Sequence, residues 1–174
     1  MIGIVRPDCF LPRQRGASLL EGIAYLGIAA LVILGAVSLL TTAFGNAQSN
    51  RAVEEVISLR TSIRKLYSGQ NYGNGAITPT LIAANAVPGT LTITGGAITN
   101  AWGGAVVLTG AGTNFTITYN NVPQDVCISM ISGGNGWRQI DRGGAAAITV
   151  FPATPADAQV TCAAGSNAYT FTAS

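Results

Sequence analysis

The spacing of hydrophobic residues changes twice along this chain, and each change marks a different kind of element. From Gly22 to Asn50 no residue carries a charge, and Gly22 to Phe44 is apolar nearly all round. After Asn50 the apolar residues recur on one helix face while charged residues take the other faces. Gly69, Gly73 and Gly75 then end the pattern. The spacing predicts one helix from about Ala17 to Tyr67, with an apolar first half and an amphipathic second half.

The two halves of this helix need different surroundings. At 1.5 Å per residue the helix is ~75 Å long, and no domain of this size could bury it along its whole length. An uncharged stretch of 29 residues is long enough to cross a membrane or to be covered by partner chains. We therefore expect residues 17–50 to lie first in lipid and later among other subunits, and residues 51–68 to cover a folded head.

Four glycines, Gly22, Gly27, Gly35 and Gly45, interrupt the apolar half. Each costs up to ~1 kcal/mol of helix propensity. Close contact between helices through small residues would account for them. The alternative is a segment that partly unwinds during assembly.

Residues 69–174 are predicted to form the head. Thr78 reads as an N-cap before Pro79 and a short helix that ends by Pro88-Gly89. Glycine-rich turns separate the apolar segments that follow. The predicted strands are Leu91–Thr94, Ala105–Thr109, Phe115–Tyr119, Val126–Ile131, Ala146–Phe151 and Tyr169–Thr172. The predicted fold class is α+β, with the long N-terminal helix packed on an antiparallel sheet.

Composition excludes several functions. Charged residues are only 9% of the chain, against about 25% in ordinary soluble domains. From Ala17 onward six basic and six acidic side chains balance, which argues against nucleic-acid binding through a basic field. Without histidine there is no Ser-His or Cys-His pair, and the usual zinc ligand sets are excluded too. We expect no enzyme activity and no cofactor.

The start of the apolar stretch carries a recognisable motif. Arg13 and Arg15 precede Gly16, Ala17 follows it, and Glu21 is the fifth residue from Ala17. This pattern resembles the prepilin processing site of type IV pilins. The leader length, the non-phenylalanine first residue and the Ala-Ser-Leu-Leu-Glu start are similar to type IVb major pilins of enteric bacteria and conjugative-plasmid thin pili.

The resemblance implies a life cycle and a set of partners. Residues 1–16 would be a leader removed by a prepilin peptidase between Gly16 and Ala17, with methylation of the new amine. The mature subunit would wait in the bacterial inner membrane, meet the assembly machinery there and polymerise with copies of itself into an extracellular pilus. Adhesion, aggregation or conjugative mating-pair contact would follow, through a receptor on a host or recipient cell.

Glu21 is the residue with the clearest predicted role. A carboxylate at the edge of hydrocarbon is costly unless it is paired. The family resemblance implies pairing with the terminal amine of Ala17 in an adjoining subunit. Residues one and five of a helix are also close enough for a pair within one chain, so both arrangements are open.

Of the three cysteines, Cys9 lies in the expected leader, which leaves Cys127 and Cys162 as an even pair. An oxidising compartment favours a disulfide between them, and the alternative is two unpaired buried thiols. The resemblance supports the disulfide, because paired cysteines enclose the variable C-terminal region in this family. The enclosed loop with Trp137, Arg138, Asp141 and Arg142 is either a contact surface or a solvated loop. A second family-like patch is the Asn100–Val106 stretch with Trp102.

Two alternative functions stay open at this stage. A minor pilin or a secretion-system pseudopilin would share the same N-terminus. A secreted binding domain would instead be released by signal peptidase after Ala47. We expect a fragment beginning near Gln48 to be soluble and monomeric, because it lacks the segment that requires lipid or partner chains.

Overall fold

The computed structural model describes residues 19–142, 147–165 and 167–174. The expected leader, Gly16 and Ala17 lie outside the described residues. The chain divides into two compact units, one up to Thr42 and one from Ala43 to Ser174. Helix α1 spans Leu19–Leu66, so the long helix is present. After it, the amide of Tyr67 still donates to the carbonyl of Ile63.

The head contains one antiparallel sheet of seven strands, in the order β2-β3-β4-β5-β7-β6 with β1 paired to β4. The strands are β1 (Asn74–Ala76), β2 (Thr92–Thr94), β3 (Ala97–Thr99), β4 (Ala105–Ala111), β5 (Asn114–Val122), β6 (Gln139–Asp141) and β7 (Asn167–Ala173). On β5 the predicted alternation is confirmed, since Phe115, Ile117 and Tyr119 are fully buried. The α+β fold class is confirmed.

Three shorter helices complete the head: α2 (Thr78–Ala83), α3 (Gln124–Gly133) and α4 (Pro155–Thr161). The prediction of a strand at Val126–Ile131 was wrong, because this segment lies inside α3. Its buried residues, Val126, Cys127, Met130 and Ile131, are spaced one and four residues apart, which fits one face of a helix. A short apolar run is ambiguous between strand and helix when it is read alone.

The strand predicted at Ala146–Phe151 was also wrong for the residues that the structure describes there, Ala147–Phe151. Only Ile148 makes a bridge, to Ile140 of β6. Pro152 follows directly and has no amide hydrogen to continue a ladder. The segment therefore lies along the edge of the sheet without becoming a strand.

The predicted N-cap of α2 was wrong as well. Ile77 takes that position without a side-chain cap, and Thr78 is the first helical residue. The Thr78 hydroxyl instead accepts the amide hydrogen of Leu108 at 3.1 Å. It therefore ties α2 to β4. The strands β1, β3 and β6 and the helix α4 were not predicted, and the first three are only three residues long.

One hydrophobic core holds the second unit together. Ala52, Val56, Leu59 and Ile63 on one face of α1 are at most 2% exposed. They belong to the same cluster of buried residues as the inward-facing residues of β4, β5 and β7. The amphipathic half of the helix is thus the cover of the sheet, as predicted.

A carboxylate also lies in this buried face of α1. Glu55 is only 5% exposed, and its burial raises the pKa of the carboxyl above the ordinary 4.5. A hydrogen bond with the Thr90 side chain and the charge of Arg51 offset part of that rise. Burial raises the pKa of the Tyr119 hydroxyl, and the charge of Glu55 adds to this effect. An ionised Glu55 is therefore a destabilising group in the folded head.

We predict a pH-dependent effect of Glu55→Gln in a fragment of residues 48–174. The folded chain holds the Glu55 proton more tightly than the unfolded chain, so wild-type stability falls as the pH rises from 4.5 through the folded pKa. Glutamine does not titrate. The unfolding free energy of the variant should therefore gain on that of the wild type between about pH 4 and about pH 7. Urea denaturation at both pH values measures this gain, and a constant difference would contradict the expectation.

Candidate functional site

The apolar part of α1 exposes large hydrophobic side chains along its whole length. Fourteen large hydrophobic side chains between Leu19 and Phe44 are 53% to 85% exposed: Leu19, Leu20, Ile23, Tyr25, Leu26, Ile28, Leu31, Val32, Ile33, Leu34, Val37, Leu39, Leu40 and Phe44. Among the described residues, α1 is the one helix long and apolar enough to cross a membrane. Full burial of such a side chain is worth about 1.5–3 kcal/mol. The free energy gained by burying the whole surface is therefore tens of kcal/mol, on the order of the total stability of a domain or more.

The glycines of this segment have no packing role inside the subunit. A Cβ built at Gly22, Gly27, Gly35 or Gly45 would meet no atom within 4 Å. Their cost in helix propensity is therefore not offset by contacts within the chain. Contact with other helices after assembly and partial unwinding during assembly both remain as explanations of these glycines.

Glu21 lies in the first turn of α1 and is exposed. The amino end of a helix carries a partial positive charge that favours a carboxylate there. Its expected partner Ala17 lies outside the described residues, so their pairing stays a prediction.

Cys127 and Cys162 are joined by a disulfide, with 6.0 Å between their Cα atoms. Cys127 lies in α3 and Cys162 caps α4, and both residues are 1% exposed. The side-chain amide of Gln124 donates to the Cys162 carbonyl at 2.9 Å. The disulfide therefore joins α3 to α4, the two helices that frame the C-terminal region, in agreement with the expectation.

The glycine-rich loop inside the disulfide is attached to α1 by a contact that the sequence did not predict. The Arg60 guanidinium donates a hydrogen bond to the Asn135 carbonyl and lies 5.2 Å from the centre of the Trp137 ring. A side chain on Gly136 would collide with this guanidinium. Burial, with the nearby Arg64, lowers the pKa of Arg60.

Trp137 is therefore not the exposed contact group that the loop composition suggested. It is 5% exposed, and its ring centre lies 5.1 Å from that of Phe171 on β7. Arg60 and Trp137 are far apart in sequence, and no local pattern indicated the contact. The loop packs as part of the head.

The disulfide-bounded region also exposes large apolar side chains further along the chain. Val150 and Val160 are each 79% exposed and line a cleft of 390 Å³ together with Asp157. The Asp157 carboxylate accepts hydrogen bonds from the amide and hydroxyl of Thr154, which lower its pKa.

The Asn100–Val106 patch is a rigid turn. The Asn100 side chain accepts the amide hydrogens of Trp102 and Gly104 and donates to the Asn120 carbonyl. A Cβ on Gly104 would collide with the backbone of Asn120, so only glycine allows this close approach. These contacts hold the start of β4 against the end of β5.

We predict that replacing Cys127 or Cys162 by serine lowers the unfolding free energy of the 48–174 fragment by about 2–5 kcal/mol. Urea denaturation under non-reducing conditions measures the loss. Reduction of the wild-type fragment is the control and should produce a loss of similar size. Serine variants as stable as the oxidised wild type would show that the bond contributes nothing.

Comparison with known proteins places the chain among pilins. Residues 46–174 match the family described as PilS N terminal. The major structural subunit of bundle-forming pilus from Escherichia coli O127:H6 is 27% identical over 169 residues, covering 86% of this chain and 88% of that protein. The corresponding subunit from Escherichia coli O111:H- is 29% identical over 122 residues, covering 67% and 63%.

One of two similar solved structures supports the fold. TcpA, a type IV pilin from Vibrio cholerae El Tor, is 15% identical, covers 74% of this chain and 99% of its own, and has a TM-score of 0.55. The type IVb pilin PilS from Salmonella typhi is 29% identical, with 71% and 94% covered and a TM-score of 0.47. Since the family match spans most of the chain, the protein belongs to the PilS family of type IVb pilins.

Proposed function

We propose that this chain is the major subunit of a type IVb pilus and polymerises with copies of itself through the apolar half of α1. The observation that carries the proposal is the exposure of all fourteen large apolar side chains between Leu19 and Phe44. Both a membrane and a filament would remove this surface from water. The relatives that are major structural subunits of bundle-forming pili support the same conclusion.

The subunit passes through two apolar environments in succession. The uncharged helix segment first anchors the precursor in the inner membrane, where Arg13 and Arg15 hold the leader on the cytoplasmic side. A prepilin peptidase then removes residues 1–16. In the pilus, the same segments of other copies replace the lipid around residues 17–50, while the heads, from residue 51 onward, surround this core.

Contacts with other cells belong to the outer surface of the head. The cleft lined by Val150, Val160 and Asp157 is exposed and lies in the disulfide-bounded region. An apolar cleft with a polar rim is typical of surfaces that bind another protein. Adhesion, aggregation or mating-pair contact would use this part of the subunit.

The mature N-terminus tests the proposal. We predict that the subunit purified from sheared fibres begins at Ala17, because Gly16 and Glu21 stand at the processing positions of the family. Intact-mass analysis decides the position, and the mass also reports any methyl group on the Ala17 amine. A mature chain beginning at Gln48 would contradict the proposal, since the assembly segment would then be missing.

Glu21→Ala and Glu21→Gln should both be processed and held in the membrane but yield few pili. Burying the Ala17 amine without a neighbouring carboxylate is costly, and neither alanine nor glutamine neutralises it. Pilus yield is measured by shearing and electron microscopy, with the membrane level of processed subunit as reference. Asp125→Asn, a carboxylate on the exposed part of the head, is the matched control and should leave yield unchanged. Normal yield in both Glu21 variants would refute the pairing.

A further inference from the structure

A line of exposed residues runs along the side of α1 that faces away from the core. It consists of Asn50, Glu54, Ile57, Thr61 and Lys65, and we call it the outer stripe. Its members follow one another at intervals of three or four residues, the spacing of one helix face. The opposite face, Ala52 to Ile63, is buried against the sheet. The outer stripe begins six residues after Phe44, where the apolar assembly segment ends.

The outer stripe carries opposite charges near its two ends. Glu54 and Lys65 are eleven residues apart, which is ~20° beyond three full turns and ~16 Å along the axis. The two charges therefore lie on nearly one line. Ion pairs within a helix form at spacings of three or four residues, so these two groups are too far apart to pair within one copy.

Each charge stands beside open space. Glu54 lines a cleft of 420 Å³ between α1 and α3, with Asn50 and Ser129 on its walls. Lys65 lines a cleft of 440 Å³ between α1 and the segment that follows α2, beside Ala84. A side chain of another molecule can therefore reach either group.

Charge is scarce on the rest of the subunit, which makes this arrangement informative. Of the twelve charged side chains from Ala17 onward, six lie between Arg51 and Lys65. Within that segment Glu55 is buried and Arg60 is bound to the Asn135 loop. The charged residues that are exposed on this part of α1 are thus Arg51, Glu54, Arg64 and Lys65, against Asp125, Arg138 and Asp157 on the rest of the described head.

We propose that in the pilus Lys65 of one copy pairs with Glu54 of a neighbouring copy displaced by ~16 Å along the helix. This inference rests on the proposed function, because it requires parallel copies bundled through their apolar segments. Copies related by helical symmetry present the same face to their common axis. A group on this face of one copy can then approach a group on the same face of another copy across the axis. The axial displacement between the two copies decides which of these groups lie at the same level.

The pair acts on register more than on affinity. An exposed ion pair contributes little by itself, but a displacement that brings like charges together is penalised. A displacement that joins Glu54 to Lys65 satisfies both groups at once. Because every copy repeats the contact, a small preference per subunit selects one arrangement of the whole fibre.

Charge exchange tests this pair in the full-length chain. Glu54→Lys and Lys65→Glu should each lower the yield of sheared fibres several-fold. The double variant Glu54→Lys with Lys65→Glu should restore the yield to within about twofold of wild type, since the pair is re-formed with its signs exchanged. Arg64→Glu makes the same change of charge one residue away, ~100° around the helix, and should leave the yield near that of wild type.

A second measurement does not depend on any variant. Carbodiimide joins a carboxylate directly to an amine, so wild-type fibres should give a cross-linked peptide containing Glu54 and Lys65, absent from the subunit in detergent. Single variants with wild-type yield, a double variant no better than the singles, or fibres without this cross-link would overturn the inference. Wild-type chains that form no fibres at all would instead overturn the proposed function.

Discussion

Water cannot remain around the first half of α1, and the other features of this subunit depend on that constraint. Side chains from Leu19 to Phe44 are exposed on every side of the helix, and the burial they favour exceeds the stability of an ordinary domain. In the proposed function, a membrane satisfies this requirement before assembly, and neighbouring copies satisfy it afterwards. The expected leader, the position of Glu21 and the helix glycines would all serve this transfer between two apolar environments.

The head attaches a sheet and a disulfide-bounded C-terminal region to a single helix. The buried face of α1 covers the sheet. The Cys127–Cys162 bond fastens α3 to α4, and Arg60 holds the glycine-rich loop from the side of α1. Apolar burial and a charged hydrogen bond therefore connect the head to α1, while the covalent bond holds the C-terminal region together.

Sequence reasoning succeeded where the periodic signal was long. The 48-residue helix and the alternating strand β5 were both predicted, because each repeats its pattern several times. Val126–Ile131 was misread because six apolar-rich residues fit a strand as well as one face of a helix. The three-residue strands β1, β3 and β6 are too short to carry a pattern, and pairing with longer neighbours defines them.

The candidate site divides in the same way. The motif around Gly16 and Glu21 is a local signal that can be read from the chain. So is the pair of cysteines that follows the expected leader. The contact of Arg60 with the Asn135 loop joins residues 75 positions apart, and only the folded chain brings them together. Trp137 is buried against Phe171, which the composition of the loop did not indicate.

Electron cryo-microscopy of sheared fibres at side-chain resolution tests the central claim most directly. The account predicts that the segment from Leu19 to Phe44 of every copy lies at the fibre axis, with its large apolar side chains covered by the same segments of other copies. Fibres in which this segment faces solvent, or from which it has been removed by processing, would contradict the account.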